Sequence, residues 1–416
     1  MNNLQLFLPC AAGVEHFLQD EVQAITGLPG QALRGGVQLQ AGWRDMLGIN
    51  LHSRLCQRVL VQLLQRGYRS EQDLYEAASD VAWEAWFTPK HSFKVEITAQ
   101  HSPLQSLNFA TLRVKDAIAD RFRAKTGVRP DVETTWPDVR VYVHLTTDSV
   151  TLYIDTSGEP LFKRGWREDK GEAPLKETLA AAMLHAAGWP ALAAQGVTLY
   201  DPCCGSGTIA IEAAQMACHI APGLARQFAF EKLLPFAPHI WDAIKAEAVA
   251  AQQMWPGDIF GSDVSFRMVD FPNRNAQRAG VQDMVQFRGG DALQRMPPSE
   301  VPGLLLLNPP YGERIEVAGI AGAGASAGAG RGTEAGRESA QTEDGSDFFN
   351  QLASHWKKHY PGWTAWILSP DLKLPGRMRL KESRRVPMWN GPIECRLFRF
   401  DLVQGSARAK PLPKVE

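Results

Sequence analysis

The chain lacks the features that mark several classes of protein. Its six cysteines include no CxxC pair and follow no regular spacing, which argues against a structural zinc site or a disulfide framework and predicts a reduced, cytoplasmic protein. No apolar run approaches the roughly 18 residues of a membrane helix. Residues 1–9 lack the charged region and the cleavage site of a signal peptide. The net charge of −1 gives no general attraction to nucleic acid, so any such contact must come from a local patch.

The composition, with 44 % hydrophobic and 21 % charged residues, is that of a soluble globular protein. A length of 416 residues allows two or three domains. In the first half, periodicity predicts an α+β region with a helix at 73–87 and a hairpin formed by 140–144 and 150–154. Glycines and charges at 158–173 predict a connector, and Pro174 is predicted to open a helix of the following domain.

From residue 198 onward, strands, loops and helices alternate. This alternation predicts an α/β fold with an open, largely parallel, doubly wound sheet. Such sheets bind ligands at the carboxyl ends of their strands. The predicted strands are 198–200, 258–261, 285–287, 304–307, 364–368 and 395–401, and the predicted helices are 208–218, 240–254, 266–278 and 348–358.

Residues 318–345 depart from this pattern, because they are almost entirely Ala, Gly, Ser, Thr, Glu and Arg. A segment of that composition cannot bury a core, so it is predicted to be a flexible surface insertion. An inert linker is the favoured interpretation. A lid that gates the substrate is the alternative, since the insertion closely follows the catalytic loop described below.

A glycine-rich loop follows the first strand of the second half. Gly205-Ser206-Gly207 allows a tight turn and a close approach of the backbone to a ligand, and the next helix directs its N-terminal amides toward that ligand. The loop also loosely matches the dinucleotide fingerprint G-x-G-x-x-A, whereas the lack of a lysine after Gly207 argues against a Walker loop. We call residues 201–208 the cofactor loop.

Two carboxylates follow the next two predicted strands. Asp263 is placed to accept both hydroxyls of a ribose, and Asp291 is placed to accept a hydrogen bond from an adenine amino group. Each alone is typical of a turn. Together with the cofactor loop they indicate a cofactor that bears a nucleoside and lies across the sheet edge.

A second loop, Asn308-Pro309-Pro310-Tyr311, follows the four leucines at 304–307. An exocyclic amine of a nucleobase is a poor nucleophile, because its lone pair is delocalised into the ring. The Oδ1 atom of Asn308 and the carbonyl of Pro309 are suitable acceptors for its N–H groups, and Tyr311 offers a face on which the base can stack. This catalytic loop therefore predicts methyl transfer to such an amine without a strong general base. A covalent role for Cys203 or Cys204 is the alternative, but we interpret both as packing residues, since no His lies near them in sequence.

At these residues the chain resembles the THUMP-containing class I RNA methyltransferases, and most closely those that methylate guanine N2 of bacterial 23S rRNA. The resemblance covers nearly the whole chain except the insertion and the C-terminal tail. The motifs that carry it are residues 114–118, 164–167, 173–180, 201–208, 221–223 and 308–314.

The resemblance implies S-adenosylmethionine as the methyl donor, and a cytoplasmic enzyme without a metal. It implies a ferredoxin-like segment at 1–44, a THUMP RNA-binding domain at 45–157 and a class I methyltransferase domain at 174–416. The expected cofactor-site residues are Asp201, Cys203, Gly205, Gly207, Thr208, Asp263, Asp291 and Ala292, and the expected target-base residues are Asn308, Pro309, Pro310 and Tyr311. Position 203 holds Cys where relatives often carry Met. A second, guanine-N7 methyltransferase that some relatives carry is expected to be absent, because the chain ends at Glu416.

Two local basic patches are candidates for RNA contact, although such runs are often only solvated surface. The first patch comprises Arg113, Lys115, Arg121, Arg123 and Lys125, and the second comprises Arg377, Arg379 and Lys381. The target base must leave its stack to reach Asn308, so base flipping or a single-stranded region is expected. The alternatives to a 23S rRNA guanine-N2 methyltransferase are a tRNA guanine-N2, DNA adenine-N6 or protein glutamine methyltransferase, an NAD-dependent oxidoreductase and a catalytically silent RNA-binding ribosome-assembly factor.

Overall fold

A computed structural model describes residues 3–169, 175–264, 267–309 and 346–403. Its strands are β1 (Leu4–Pro9), β2 (Gln31–Leu33), β3 (Gly36–Ala41), β4 (Leu60–Gly67), β5 (Phe93–Ala99), β6 (Val139–Leu145), β7 (Ser149–Asp155), β8 (Leu199–Asp201), β9 (Ile259–Asp263), β10 (Val285–Gly289), β11 (Leu304–Leu307), β12 (Thr364–Ser369), β13 (Arg384–Asn390) and β14 (Ile393–Asp401). Its α-helices are α1 (Glu15–Thr26), α2 (Trp43–His52), α3 (Glu71–Asp80), α4 (Leu107–Thr126), α5 (Glu177–Ala186), α6 (Trp189–Ala194), α7 (Thr208–Ala217), α8 (Pro238–Ala250), α9 (Arg267–Arg278), α10 (Ser346–His359) and α11 (Leu374–Met378).

The chain divides into two compact units that interleave in sequence. The first unit consists of Met1–Gly165, Glu177–Ala182 and His219–Gln253, and the second consists of Trp166–Lys176, Met183–Cys218 and Met254–Glu416. Two segments that follow the predicted connector, including helix α8, thus group with the N-terminal unit. Within the described ranges, no helix is both long and apolar enough to cross a lipid bilayer.

The first unit is built on one seven-stranded sheet with the order β2-β3-β1-β4-β7-β6-β5. Strand β1 pairs with both β3 and β4, so the N-terminal segment and the strands after residue 60 share a continuous sheet. Alternate residues of β1, Leu4, Leu6 and Leu8, are buried, which fixes the register of the strand because a shift by one residue would expose them. The predicted hairpin is confirmed as the antiparallel pair β6 and β7.

The helix predicted at 73–87 is wrong in its second half. Helix α3 ends at Asp80, and Val81 takes an extended conformation that starts a new direction of the chain. A tertiary contact explains why the helix ends there. Trp83 is fully buried and donates its indole N–H to the carbonyl of Ala78 at 2.7 Å. A continuous helix would carry Trp83 out of this position.

The second unit contains the predicted doubly wound sheet, with the order β10-β9-β8-β11-β12-β14-β13. The first five strands in this order are parallel, while β14 runs antiparallel to β12 and β13. Strand β13 was not predicted, because it begins with two arginines and contains Pro387. It lies at the sheet edge, where a missing backbone N–H is tolerated.

The strand order reverses between β8 and β11, which pair with each other in parallel. Because the two strands run parallel, their carboxyl ends lie at the same edge of the sheet. Both strands are buried along their whole length. At such a switch point the flanking loops diverge and leave a crevice for a ligand. Asp201 ends β8, and Asn308 follows β11, so the fold brings the cofactor loop and the catalytic loop to the same edge.

Candidate active site

The cofactor loop joins the end of β8 to the start of α7. Gly207 has φ 84°, a left-handed conformation, and a Cβ atom there would lie 2.8 Å from Cβ of Pro272 and 2.9 Å from Cζ of Phe287. Glycine is therefore required at this position both for its backbone angle and for space. The amide of Cys204 donates to the carbonyl of Ser262 at 2.9 Å, so the loop is held against the end of β9.

Three carboxylates surround this loop. The amide of Gly205 donates to Oδ2 of Asp263 at 3.0 Å, and the amide of Cys203 donates to Oδ1 of Asp201 at 3.0 Å. Asp291 accepts a hydrogen bond from the amide of Leu293 at 2.9 Å. Burial raises the pKa of the Cys203 thiol well above its usual range, and Asp201, Asp263 and Asp291 raise it further. All three predicted carboxylates therefore lie close enough to Cys203 to act on one thiol.

The Asp201 carboxyl group is the most deeply buried of the three, with 1 % of its residue surface exposed. Burial raises the pKa of Asp201 to about 8, the amide of Cys203 opposes that rise, and Asp263 adds to it. Functional sites often contain a group whose pKa lies near neutral pH, and Asp201 is such a group at the sheet edge.

Both loop cysteines have raised thiol pKa values, which supports packing over nucleophilic catalysis. The causes for Cys204 are burial first and then the negative charges of Asp201 and Asp263. A thiol that stays protonated is a poor nucleophile. Cys203 packs, together with the buried Ala292, against the hydrophobic core of this unit.

The catalytic loop begins with an unsatisfied acceptor. The Oδ1 atom of Asn308 is buried, and nothing in the described part of the chain donates a hydrogen bond to it. Pro309 is buried behind it, whereas Pro310 and Tyr311 lie outside the described residues, as does the insertion at 318–345. A buried amide oxygen without a donor costs about 1–3 kcal/mol. The position therefore suits a donor that a substrate supplies.

Sequence reasoning did not assign a role to Arg167 or Asn275. The Arg167 guanidinium donates to Oγ of Ser206 at 3.0 Å and to Oγ1 of Thr208 at 2.7 Å. The hydroxyl of Thr208, a residue predicted to bind the cofactor, thus accepts a hydrogen bond from a side chain of the protein. Asn275 is fully buried and donates to the carbonyl of Ser206 at 3.1 Å. The motif at 164–167, noted without a role, was the signal that could have identified Arg167.

The first basic patch is largely engaged within its own unit. Arg121 forms a bidentate pair with Glu84 at 2.8 and 2.7 Å, and this pair holds the pKa of Glu84 below its usual range. Arg113 donates to Oε1 of Gln72 at 2.6 Å, and Lys115 lies 3.1 Å from Asp116. Arg123 and Lys125 of the same patch are exposed in the last turn of α4.

The second basic patch surrounds the short helix α11, which follows β12. Because Leu307 and Ile367 are paired in the parallel strands β11 and β12, residues after β12 emerge at the same sheet edge as Asn308. Arg377 lies 3.0 Å from Asp371. Arg379 and Lys381 are exposed, although the carbonyl of Arg379 accepts from Lys357.

Across the described ranges, no group of three or more His, Cys, Asp or Glu side chains has the arrangement of a metal site. The polar atoms at the sheet edge are instead carboxylates, one amide oxygen and backbone N–H groups. This set can accept hydrogen bonds from hydroxyls and amines, and it favours positively charged over negatively charged ligands near Asp201, Asp263 and Asp291.

Three domain models match the chain. The RlmL ferredoxin-like domain matches residues 5–60, the THUMP domain matches 68–155, and the RMKL-like methyltransferase domain matches 164–321. A curated relative, the ribosomal RNA large subunit methyltransferase K/L of Psychromonas ingrahamii, is 34% identical over 403 residues, which are 95% of this chain and 50% of the relative. The chain thus spans about half the length of the curated relatives it matches.

Solved structures extend the comparison over nearly the whole chain. The protein SMU.472, whose crystal structure is a complex with SAH, is 25% identical, with a TM-score of 0.82 and coverage of 98% of this chain and 100% of that one. A structure from Listeria monocytogenes, described as a predicted N6-adenine-specific DNA methylase, is 27% identical, with a TM-score of 0.80 and coverage of 96% of both chains. The chain therefore contains regions that match the RlmL ferredoxin-like, THUMP and RMKL-like methyltransferase domain models, and its fold is similar to that of these solved structures.

Proposed function

We propose that this protein transfers a methyl group from S-adenosylmethionine to the exocyclic N2 of a guanine in 23S rRNA. The observation that carries the proposal is the buried, unsatisfied Oδ1 atom of Asn308 at the same sheet edge as the cofactor loop. An acceptor without a donor, placed next to a nucleoside-binding loop, fits a base that brings its own N–H groups.

The residues around the cofactor loop fit S-adenosylmethionine, whose sulfonium supplies the methyl group when it is bound. Asp263 would accept the ribose hydroxyls, and Asp291 would accept the adenine amino group. Gly205 and Gly207 let the backbone come close, and Ala292 and Cys203 provide apolar packing. A cationic ligand would favour the ionised form of Asp201, whose pKa of about 8 leaves it largely protonated at neutral pH in the absence of a ligand. The relative SMU.472 was crystallised with SAH, which supports this assignment.

The catalytic loop would hold the target amine rather than deprotonate it. Asn308 Oδ1 and the carbonyl of Pro309 would each accept one N–H of the amine, which directs its lone pair away from the loop. The amine, held in this way, would receive the methyl group that the sulfonium supplies and would then release a proton to solvent. Pro309 and Pro310 would restrict φ and so limit the motion of the loop, and Tyr311 would stack on the base.

The N-terminal region is proposed to bind RNA. The THUMP match at 68–155 and the names of the rRNA methyltransferase relatives support RNA over other substrates. We also propose a division into four parts: a ferredoxin-like segment at 1–44, a THUMP domain at 45–157, a connector at 158–173 and a methyltransferase domain at 174–416. Exposed cations of both basic patches, including Arg123, Lys125 and Lys381, are candidates for phosphate contacts.

The deciding experiment incubates the protein and labelled S-adenosylmethionine with protein-free 23S rRNA, tRNA or DNA, followed by nucleoside analysis. The expected product is N2-methylguanosine in 23S rRNA alone. Label in tRNA or in DNA adenine would retain the chemistry and replace the substrate. Cofactor binding without label in any pool would favour an assembled particle or a protein as the substrate, or a silent assembly factor.

A further inference from the structure

Arg167 joins three parts of the methyltransferase unit through one guanidinium group. Besides Ser206 and Thr208 it donates to the carbonyl of Leu175 at 3.0 Å, and its guanidinium carbon lies 5.2 Å from the ring centre of Trp166. Ser206 and Thr208 are almost completely buried. Hydrogen bonds from a charged donor are stronger than those from a neutral donor, and burial strengthens them further.

The guanidinium of Arg167 lies in a place that is electrostatically unfavourable for a cation. Thr208 is the first residue of α7, and the N-terminus of a helix carries a partial positive charge that disfavours a neighbouring cation. Among the acceptors of this guanidinium are two hydroxyl groups, both of which belong to the cofactor loop. Those hydroxyls are consequently turned toward Arg167.

The backbone near Arg167 is itself anchored to α9. Trp166 is buried, and its carbonyl accepts from Nε of Arg278 at 2.9 Å. Asn275 donates both to the carbonyl of Asp169 at 2.9 Å and to the carbonyl of Ser206 at 3.1 Å. Asp169 also pairs with Arg274 at 2.7 Å. Residues 166–169 therefore form a strap, fixed to α9, from which Arg167 reaches the cofactor loop.

We propose that Arg167 is a positioning residue that holds the cofactor loop in its binding conformation before the cofactor arrives. The proposal rests on the cofactor assignment above. With Ser206 and Thr208 held by Arg167, and the amide of Gly205 held by Asp263, the loop is fixed at Gly205 and on both sides of Gly207. Loss of Arg167 then raises the KM for S-adenosylmethionine, while kcat at saturating cofactor stays near that of the unchanged protein.

The test is the affinity of the full-length chain for S-adenosylhomocysteine, measured by calorimetry. Arg167→Ala is expected to weaken binding by about tenfold or more, because bonds from a charged donor are lost. Arg167→Lys is expected to recover part of the affinity. Arg399→Ala is the matched control, because it removes a partly exposed arginine of the same unit that pairs with Asp401 on β14, and should change the affinity by less than about twofold.

A double-mutant cycle separates positioning from a general loss of structure. In the background Ser206→Ala with Thr208→Val, the further change Arg167→Ala should change the affinity little, because its two acceptors in the cofactor loop are already gone. An equal loss in both backgrounds, or an unchanged affinity of Arg167→Ala with an unchanged Tm, would overturn the proposal. If the unchanged protein does not bind S-adenosylhomocysteine, the cofactor assignment itself fails. If it binds but does not methylate RNA, only the proposed substrate fails.

Discussion

The backbone amide of Gly205 donates a hydrogen bond to the carboxylate of Asp263, 58 residues further along the chain, at 3.0 Å. This bond connects the cofactor loop, after β8, to the carboxyl end of β9. The same carboxylate is proposed to bind the ribose of the cofactor, so it serves both the shape of the loop and the recognition of the ligand.

Asp263→Ala should lower the affinity for S-adenosylmethionine by about 1–3 kcal/mol, because hydrogen bonds to a charged group are lost. Calorimetry measures the effect. Asp283→Ala is the control, since Asp283 is an exposed carboxylate in the loop that precedes β10. Equal affinities of the unchanged protein and Asp263→Ala would exclude the role assigned to Asp263.

Asn308→Ala should abolish methyl transfer while leaving cofactor affinity near normal, because Asn308 is proposed to contact the target base alone. Its Tm should not fall, since no described hydrogen bond to Oδ1 is lost and a buried unsatisfied atom is removed. Turnover with labelled cofactor, calorimetry and thermal unfolding give the three readings. A large loss of cofactor binding would contradict the division of labour between the two loops.

Asp201 should make stability depend on pH. Its folded pKa of about 8 lies above the unfolded value of about 3.9, so the folded state binds more protons between these values. The contribution to the free energy of unfolding is complete below about pH 4 and is lost as the pH rises through 8, with a slope of at most about 1.4 kcal/mol per pH unit. Asp201→Asn should remove this slope, as denaturant titrations at several pH values would show.

The same carboxyl group should couple pH to cofactor binding. A cationic ligand favours the ionised form of Asp201, so binding should release a proton below about pH 8 and the affinity should rise with pH. The ammonium of the cofactor also titrates, and the comparison with Asp201→Asn corrects for it. Identical pH profiles of the two proteins would show that Asp201 does not ionise on binding.

The cations of the two patches should separate into two groups. Arg379→Ala and Lys381→Ala should each weaken RNA binding about equally for all sequences and reduce the salt dependence by about one phosphate contact. Arg121→Ala should chiefly lower the Tm, because Arg121 holds Glu84 through two hydrogen bonds. Filter binding over a salt series and thermal unfolding distinguish these results; loss of RNA affinity in Arg121→Ala at unchanged Tm would reverse its assignment.

The sequence predicted the parallel part of the second sheet well, because buried parallel strands such as β11 are short, continuous apolar runs. It failed where tertiary contacts decide. Strand β13 contains a proline, which does not favour a strand, and forms because β14 offers an edge with which it pairs. Helix α3 stops where burial of Trp83 outweighs helix propensity.

The sequence pointed to some residues of the candidate site and gave no role to others. Asp201, Asp263 and Asn308 follow strands in the sequence, and strand ends of a parallel sheet meet in space by topology alone. Arg167 follows no strand and reaches the loop only through the fold of the strap on α9. Periodicity carries no information about such a contact.

The interior position of β1 in the N-terminal sheet has a consequence for fragments of the chain. A fragment that starts between residues 44 and 60 would lack β1 and β3 and would leave β4 with an open hydrogen-bonding edge. Such a fragment should therefore aggregate. Folding of the N-terminal sheet should require the ferredoxin-like segment and the strands that follow it on one polypeptide.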